Sequence, residues 1–290
     1  MRNKIYSVRI MWIPALIFIV FSIVPSTVGY IYAFTNWSAS HTEHLKFIGL
    51  KNIIQVLSDD RLITAFTNSV LYAFGKTVIV TVLGLLLAYF LNRKFRSQTA
   101  LRTIYFMPSI LASIVVGLIF SALFQTRHGT INGVLRLLGG KGVDWFGGRW
   151  TGVSAIICAE IWASTGYAIL ITLSAMQSIP SDYFEAALID GARERQVFTK
   201  IVLPLIFPTI NVNIVFNIVY GLKLFDLVKF MTDGGPGFAT ESMGTLILRE
   251  MSAGRFAQAV SVNLVFSVIL LIISLLYQHF SSRAEDALYK

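Results

Sequence analysis

The chain has 290 residues, of which 55% are hydrophobic and only 13% are charged, and its formal net charge is +9. Soluble globular domains carry about 25% charged residues, so the composition excludes that class and indicates an integral membrane protein. In so apolar a chain, we attribute the positive charge to Lys and Arg beside membrane spans rather than to nucleic-acid binding. The single cysteine, Cys158, excludes an intrachain disulfide and a cysteine metal cluster.

Six stretches are long and apolar enough to cross a bilayer, for which a helix needs about 20 residues. The first is too long for the core of a signal peptide, so we expect it to be retained. Pro108 and Ser109 weaken the start of the third, and the polar fifth is expected to face an interior. The fold is therefore predicted to be all-α and polytopic, with one transmembrane domain over residues 1–290. The predicted spans are residues 11–34, 69–91, 104–124, 153–177, 201–222 and 260–280.

The distribution of Lys and Arg predicts how the chain crosses the membrane, because cytoplasmic loops are richer in these residues. The cluster Arg93-Lys94-Phe95-Arg96 beside the second span is the strongest local signal. The distribution of Lys and Arg places both termini and the loop at residues 178–200 on the cytoplasmic side.

The loop at residues 178–200 has the pattern of a short polar helix followed by a break. Asp182 and Glu185 have the spacing of a reciprocal helix cap, and Gly191 permits the left-handed turn that ends a helix. Periodicity alone leaves two interpretations open, a helix on the membrane surface and a surface held by another protein. Three apolar residues are predicted to share one face of this helix: Phe184, Ala187 and Leu188.

Two motifs resemble a known family of transport proteins. The segment from Glu185-Ala-Ala through Gly191 to Ile201-Val-Leu-Pro204 resembles the EAA loop of bacterial ABC-importer permeases, the cytoplasmic element that docks into the ATP-hydrolysing subunit. The sequence Thr232-Asp-Gly-Gly-Pro236, with Thr240 after it, resembles an outer loop of the carbohydrate-uptake, maltose-type branch. Asn68-Ser69 at the start of the second span fits the same family, and the resemblance covers about residues 10–280.

The resemblance implies a permease subunit of an ATP-driven importer for a sugar or oligosaccharide, in a bacterial cytoplasmic membrane. Residues 182–204 would dock the ATPase through a coupling helix between the fourth and fifth spans. The implied partners are ABC ATPase subunits, a second homologous permease subunit that forms a heterodimer with this one, and an extracytoplasmic solute-binding protein. The residues implied at the dock are Glu185, Ala186, Ala187, Asp190, Gly191 and Arg193.

The chain lacks a convincing nucleotide site, so energy is expected from a partner. Gly75-Lys76-Thr77 is the nearest match to a phosphate-binding loop, but it lies in an apolar span, where Lys76 is expected to snorkel or to pair with another helix. The four histidines lie in loops or at a span end and form no metal motif. We expect no enzymatic activity, metal or cofactor, with ATP used only by the partner subunits.

Polar and aromatic residues of the fourth and fifth spans mark the expected substrate path, because such residues face an interior. Three alternatives remain open at this stage. In the first, the asparagines only pair helices. In the second, Lys223 pairs with Asp226, whereas an unpaired Lys223 would favour an acidic sugar. In the third, the chain is a stand-alone secondary transporter or channel, for which Glu160 is the one candidate coupling carboxylate. The predicted path residues are Tyr167, Asn213, Asn217, Tyr220, Gly221, Lys223, Phe225 and Asp226.

Overall fold

A computed structural model describes the backbone of residues 8–93 and 95–288 and the side chains of residues 12–93 and 95–281. These residues form helices and no β-strand, which confirms the predicted all-α class. The α-helices are Val8–Phe18 (α1), Val24–Ile31 (α2), Lys51–Leu57 (α3), Asp60–Leu91 (α4), Gln98–Phe106 (α5), Ser113–Leu123 (α6), Thr130–Leu137 (α7), Arg149–Gln177 (α8), Ser181–Ile189 (α9), Glu194–Val197 (α10), Leu203–Leu222 (α11), Asp226–Met231 (α12), Met243–Ser252 (α13) and Phe256–Leu288 (α14).

Five helical segments of the described chain are long and apolar enough to cross a membrane, and they coincide with five of the six predicted spans. Four of the five begin before the predicted boundary, by four to nine residues. Lys94, in the basic cluster used to predict orientation, lies outside the described residues. The five segments are Trp12–Phe34, Asp60–Leu91, Arg149–Gln177, Glu194–Leu222 and Phe256–Ser281.

The predicted third span is wrong as a continuous helix. Gln98–Ile110 and Ser113–Leu123 meet at a bend of 99°. Pro108 has no N–H to donate, and the chain passes through a 3₁₀ turn at Met107–Ile110 before Leu111 and Ala112 become extended. The bent pair counts as a sixth span if it crosses the membrane as one unit.

The described chain separates into two compact units, and the first combines residues 1–62 with residues 246–268. The buried Asn52 side chain donates to the carbonyl oxygens of Ala33 and Thr35, both at 2.8 Å. The Trp37 and Phe256 rings lie 5.0 Å apart. These contacts fix the loop after α2 against α3 and the start of α14. The most apolar window of the first span has no buried residue.

The second unit, residues 63–245 and 269–290, holds two buried apolar clusters. One joins α4, α6, α8 and α12 and includes Tyr72, Phe120 and Ile156. The other joins α4, α8 and α11 and includes Leu91 and Ile206. Between them the interior is polar.

The loop before α13 is fixed to the start of the second span. Asn68 Nδ2 donates to the carbonyl oxygens of Ala239 and Glu241, each at 2.9 Å. The Tyr72 hydroxyl donates to the carbonyl oxygen of Thr240 at 2.7 Å. The motifs containing Asn68 and Thr240, far apart in sequence, therefore form one hydrogen-bonded structure.

We call the bent pair Gln98–Ile110 and Ser113–Leu123 the broken span. Gly166 on α8 packs against the backbone of the broken span, and this contact gives a test of the fold. A Cβ at Gly166 would lie 2.4 Å from the Tyr105 carbonyl oxygen. We expect Gly166→Ala to destabilise the protein by about 1–3 kcal/mol, as overpacking does, and to lower its melting temperature in detergent. Gly133→Ala on α7 is the control, because a Cβ there meets nothing within 4 Å. Equal melting temperatures for the two variants would contradict this packing.

Candidate functional site

A cavity of about 320 Å³ lies within the second unit, among α4, the broken span, α8 and α11. Its wall combines hydroxyl groups, an amide, aromatic rings and one ion pair. The residues of the broken span enter this wall because the backbone leaves the helix there. The lining residues that carry polar groups or rings are Lys76, Ser109, Ser113, Glu160, Ser164, Tyr167, Phe216, Asn217 and Tyr220.

Three aromatic rings form a row along this cavity. The Tyr167 and Phe216 ring centroids lie 5.7 Å apart, and those of Phe216 and Tyr220 lie 6.5 Å apart with their planes at 15°. The three side chains are 44%, 53% and 45% exposed, respectively. Phe216 was missed by the sequence analysis, although it is four residues before Tyr220 and therefore on the same helix face. We call Tyr167, Phe216 and Tyr220 the aromatic row.

A buried ion pair lies behind the row. Lys76 Nζ is 2.7 Å from Glu160 Oε1, and the two side chains are 1% and 5% exposed. The Ser164 hydroxyl donates to the same carboxylate oxygen at 2.7 Å. The expectation that Lys76 pairs with another helix is confirmed, and Glu160 already has a positive partner.

Three of the predicted path residues, Tyr167, Asn217 and Tyr220, line the cavity. Asn213 is buried and accepts a hydrogen bond from Asn217 Nδ2 at 2.7 Å. Asn213 therefore supports a lining residue from within the protein. Gly221 is buried as well, and a Cβ there would lie 2.5 Å from Ala73 Cα, so its role is to let α11 approach α4.

The remaining path residues, Lys223, Phe225 and Asp226, line a neighbouring pocket of about 300 Å³ that also contacts Phe216 and Tyr220. Lys223 and Asp226 are both exposed. The ion pairs found among the described side chains do not include Lys223 with Asp226. Of the two alternatives left open for Lys223, the structure therefore favours the unpaired one, with both side chains exposed.

The loop at residues 178–200 contains the predicted helix, now bounded as α9. Gly191 has φ +65°, the left-handed conformation predicted for the residue after the helix. The predicted cap by Asp182 is wrong, because the N-cap position of α9 is Pro180, two residues earlier, and the helix has no side-chain cap. A cap bond forms instead at α10, where Gln196 Oε1 accepts from the Arg193 N–H at 2.8 Å.

The α9 residues that are buried differ from those expected from the predicted apolar face. Ala187 is 5% exposed and Phe184 packs against the buried cluster near Leu173, so both face the protein. Leu188 and Ile189 are 79% and 86% exposed. The prediction that Leu188 shares one face with Phe184 and Ala187 is wrong, because the end of α9 lies outside the packed cluster. The other predicted docking residues, Glu185, Ala186, Asp190, Gly191 and Arg193, are exposed.

The segment after Gly191 is attached to the end of the second span. The Tyr89 hydroxyl donates to Glu194 Oε1 at 2.6 Å, and the Arg93 guanidinium pairs with the same carboxylate. The Tyr89 and Phe198 rings lie 4.5 Å apart. A π-helical turn at Phe198–Val202 then continues into α11. The loop is thus connected to both α4 and α11.

Comparison with known proteins agrees with this arrangement. Residues 80–286 match the family described as binding-protein-dependent transport system inner membrane component. The trehalose/maltose transport system permease of Thermococcus litoralis is 31% identical over 80% of this chain and 78% of its own length. The multiple sugar-binding transport system permease of Streptococcus mutans is 30% identical over 98% of this chain and 97% of its own length.

Solved structures show the same fold. A subunit of a bacterial ABC transporter that imports the acidic polysaccharide alginate superposes with a TM-score of 0.83 at 23% identity, covering 95% of this chain and 94% of its own. The family match covers most of the chain and favours the permease subunit over a stand-alone secondary transporter. The chain belongs to the binding-protein-dependent transport system inner membrane components, as a multi-pass ABC-importer permease that is not itself an enzyme.

Proposed function

We propose that this permease forms half of a translocation path for a sugar or oligosaccharide, driven by ATPase subunits that dock on residues 182–204. The aromatic row beside serine hydroxyls and the Asn217 amide is the observation that carries the substrate class. Sugars present hydroxyl groups together with flat C–H faces, so they need hydrogen-bonding groups and ring faces side by side. The names of both relatives given above point to sugar permeases as well.

Docking on a protein explains α9 better than docking on lipid does. Helices that lie on a membrane surface have polar faces rich in Lys and Arg, whereas α9 carries Asp182 and Glu185 and neither Lys nor Arg. An anionic cytoplasmic leaflet would repel these charges. The exposed Leu188 and Ile189 beside them give a mixed apolar and acidic surface that suits a protein groove.

The connections of the loop support a coupling role. A docked ATPase acts on a transporter only if it binds the two conformational states with different affinity. Movement of α9 would be passed to α11 through the π-helical turn and to α4 through Glu194, Tyr89 and Arg93. Both helices line the cavity, so the loop is placed to change the shape of the path.

The remaining parts of the assembly follow from the family and the exposed surfaces. The family description names a binding protein, which we place on the extracytoplasmic side. The wholly exposed apolar window of Trp12–Phe34 fits contact with a second, homologous permease subunit in a heterodimer. Both termini lie in the cytoplasm of a bacterial cell. We treat residues 1–290 as one permease domain because α4 and α14 run without interruption from one compact unit into the other.

Replacing two docking residues tests the proposed function. We expect Glu185→Ala combined with Gly191→Leu to reduce ATP-driven sugar uptake at least about tenfold, which corresponds to about 1.4 kcal/mol of lost coupling. The first change removes an exposed charge, and the second forces a side chain into the left-handed conformation of Gly191. Uptake is measured in proteoliposomes that contain the complete transporter, across neutral and acidic oligosaccharides.

Thr67→Ala is the control, because Thr67 lies outside the docking segment and its exposed hydroxyl bonds within its own helix, to the Ile63 carbonyl oxygen. All variants should reach the membrane in equal amounts. Full ATP-driven uptake by the double variant would show that docking occurs elsewhere.

The aromatic row gives a separate test of the substrate path. We expect Phe216→Ala to raise the sugar concentration for half-maximal ATPase stimulation about three- to tenfold, because an aromatic stacking partner contributes about 0.5–1.5 kcal/mol. Val212→Ala, one helical turn earlier and outside the cavity lining, should leave this concentration unchanged. Equal values for the two variants would remove Phe216 from the path.

A further inference from the structure

We infer that the buried ion pair between Lys76 and Glu160 positions the Tyr220 ring for sugar stacking, an inference that rests on the proposed function. The pair joins α4 to α8 well inside both helices, with its charges 2.7 Å apart and almost fully buried. Buried ion pairs are often replaced by apolar residues at no loss of stability. Stability alone therefore does not account for two charges at this depth.

The hydrogen-bond donors of Lys76 show where the pair acts. An ammonium group has three N–H donors. One is used by Glu160 at 2.7 Å, and a longer contact of 3.4 Å reaches the Ser164 hydroxyl. The third contact is with the face of the Tyr220 ring, whose centroid lies 4.4 Å from Nζ. With these contacts made, Lys76 acts on the cavity through Tyr220 and not by direct contact with a sugar.

Tyr220 is the end of the aromatic row, and its position depends on this contact. The ring is 45% exposed, with Phe216 on one side of it along α11. A cation over an aromatic face is attracted by the electrons of the ring. Glu160 and Ser164 on α8 in turn fix the ammonium. Lys76 on α4, held by Glu160 and Ser164 on α8, therefore contacts the face of the Tyr220 ring on α11. The Tyr220 hydroxyl also interacts with Ser113 at the start of α6.

The first experiment removes both charges at once, so that neither is left buried and unpaired. Lys76→Met with Glu160→Gln keeps the size of both side chains and leaves Ser164 an oxygen to donate to. With maltotriose as the probe, we expect half-maximal ATPase stimulation at about fivefold higher concentration, with the maximal rate within about twofold of the unmodified transporter, as for lost substrate positioning. Lys76→Arg should retain the original value, because a guanidinium also binds a carboxylate and an aromatic face.

The second experiment asks whether the effect passes through Tyr220. Tyr220→Leu should cause a similar shift, and adding it to the Lys76→Met, Glu160→Gln variant should cause little further change, because residues in one contact chain are not additive. Fully additive shifts would overturn the inference. So would a loss of response to an acidic probe, trimannuronate, with maltotriose unaffected, because Lys76 would then contact the substrate directly.

The third experiment needs no sugar and so separates this inference from the proposed function. In a Cys158→Ser background, Ala163→Cys, at a position that lines the cavity, reports on the cavity wall through its rate of labelling by a small thiol reagent. We expect the paired substitution to change this rate at least about threefold, and to have no effect when Tyr220 is already Leu. An unchanged rate would overturn the inference. If no sugar stimulates the unmodified transporter, the proposed substrate class fails while this measurement still decides the role of the pair.

Discussion

The structure depends on one constraint, that polar groups inside a bilayer must be satisfied within the protein. Helices satisfy the backbone, and several interior side chains pair with one another. Lys76 meets Glu160 across two helices, and Asn217 donates to Asn213 within α11. The broken span is tolerated under the same constraint because its irregular residues line a cavity, where water can reach the backbone.

This pairing separates residues that hold the helices together from residues available to a substrate. Once Lys76, Glu160 and Asn213 have partners inside the protein, the cavity presents mainly ring faces, serine hydroxyls and the Asn217 amide. These groups suit a sugar and make no covalent chemistry. Membership in the family of binding-protein-dependent transport system inner membrane components is consistent with energy that enters from a partner.

The sequence was sufficient for features that depend on local composition. Five spans followed from length and hydropathy, and the turn at Gly191 followed from the glycine itself. The bend of the third span could not be predicted, because Pro108 indicates a weak helix start but does not give the angle between the two helices that meet there. Phe216 was missed because an apolar residue in a span is equally typical of a lipid-facing surface. The partner of Lys76 depends on helix packing, which no local pattern contains. Leu188 was misplaced for a related reason, since only the middle of α9 packs against the protein.

The central claim, that energy enters from the cytoplasmic side through residues 182–204, is tested most directly by the location of Glu185. A Glu185→Cys variant in a Cys158→Ser background is treated with a membrane-impermeant thiol reagent in intact cells and in inside-out vesicles. The account predicts labelling in the vesicles and none in intact cells. Labelling in intact cells would contradict it.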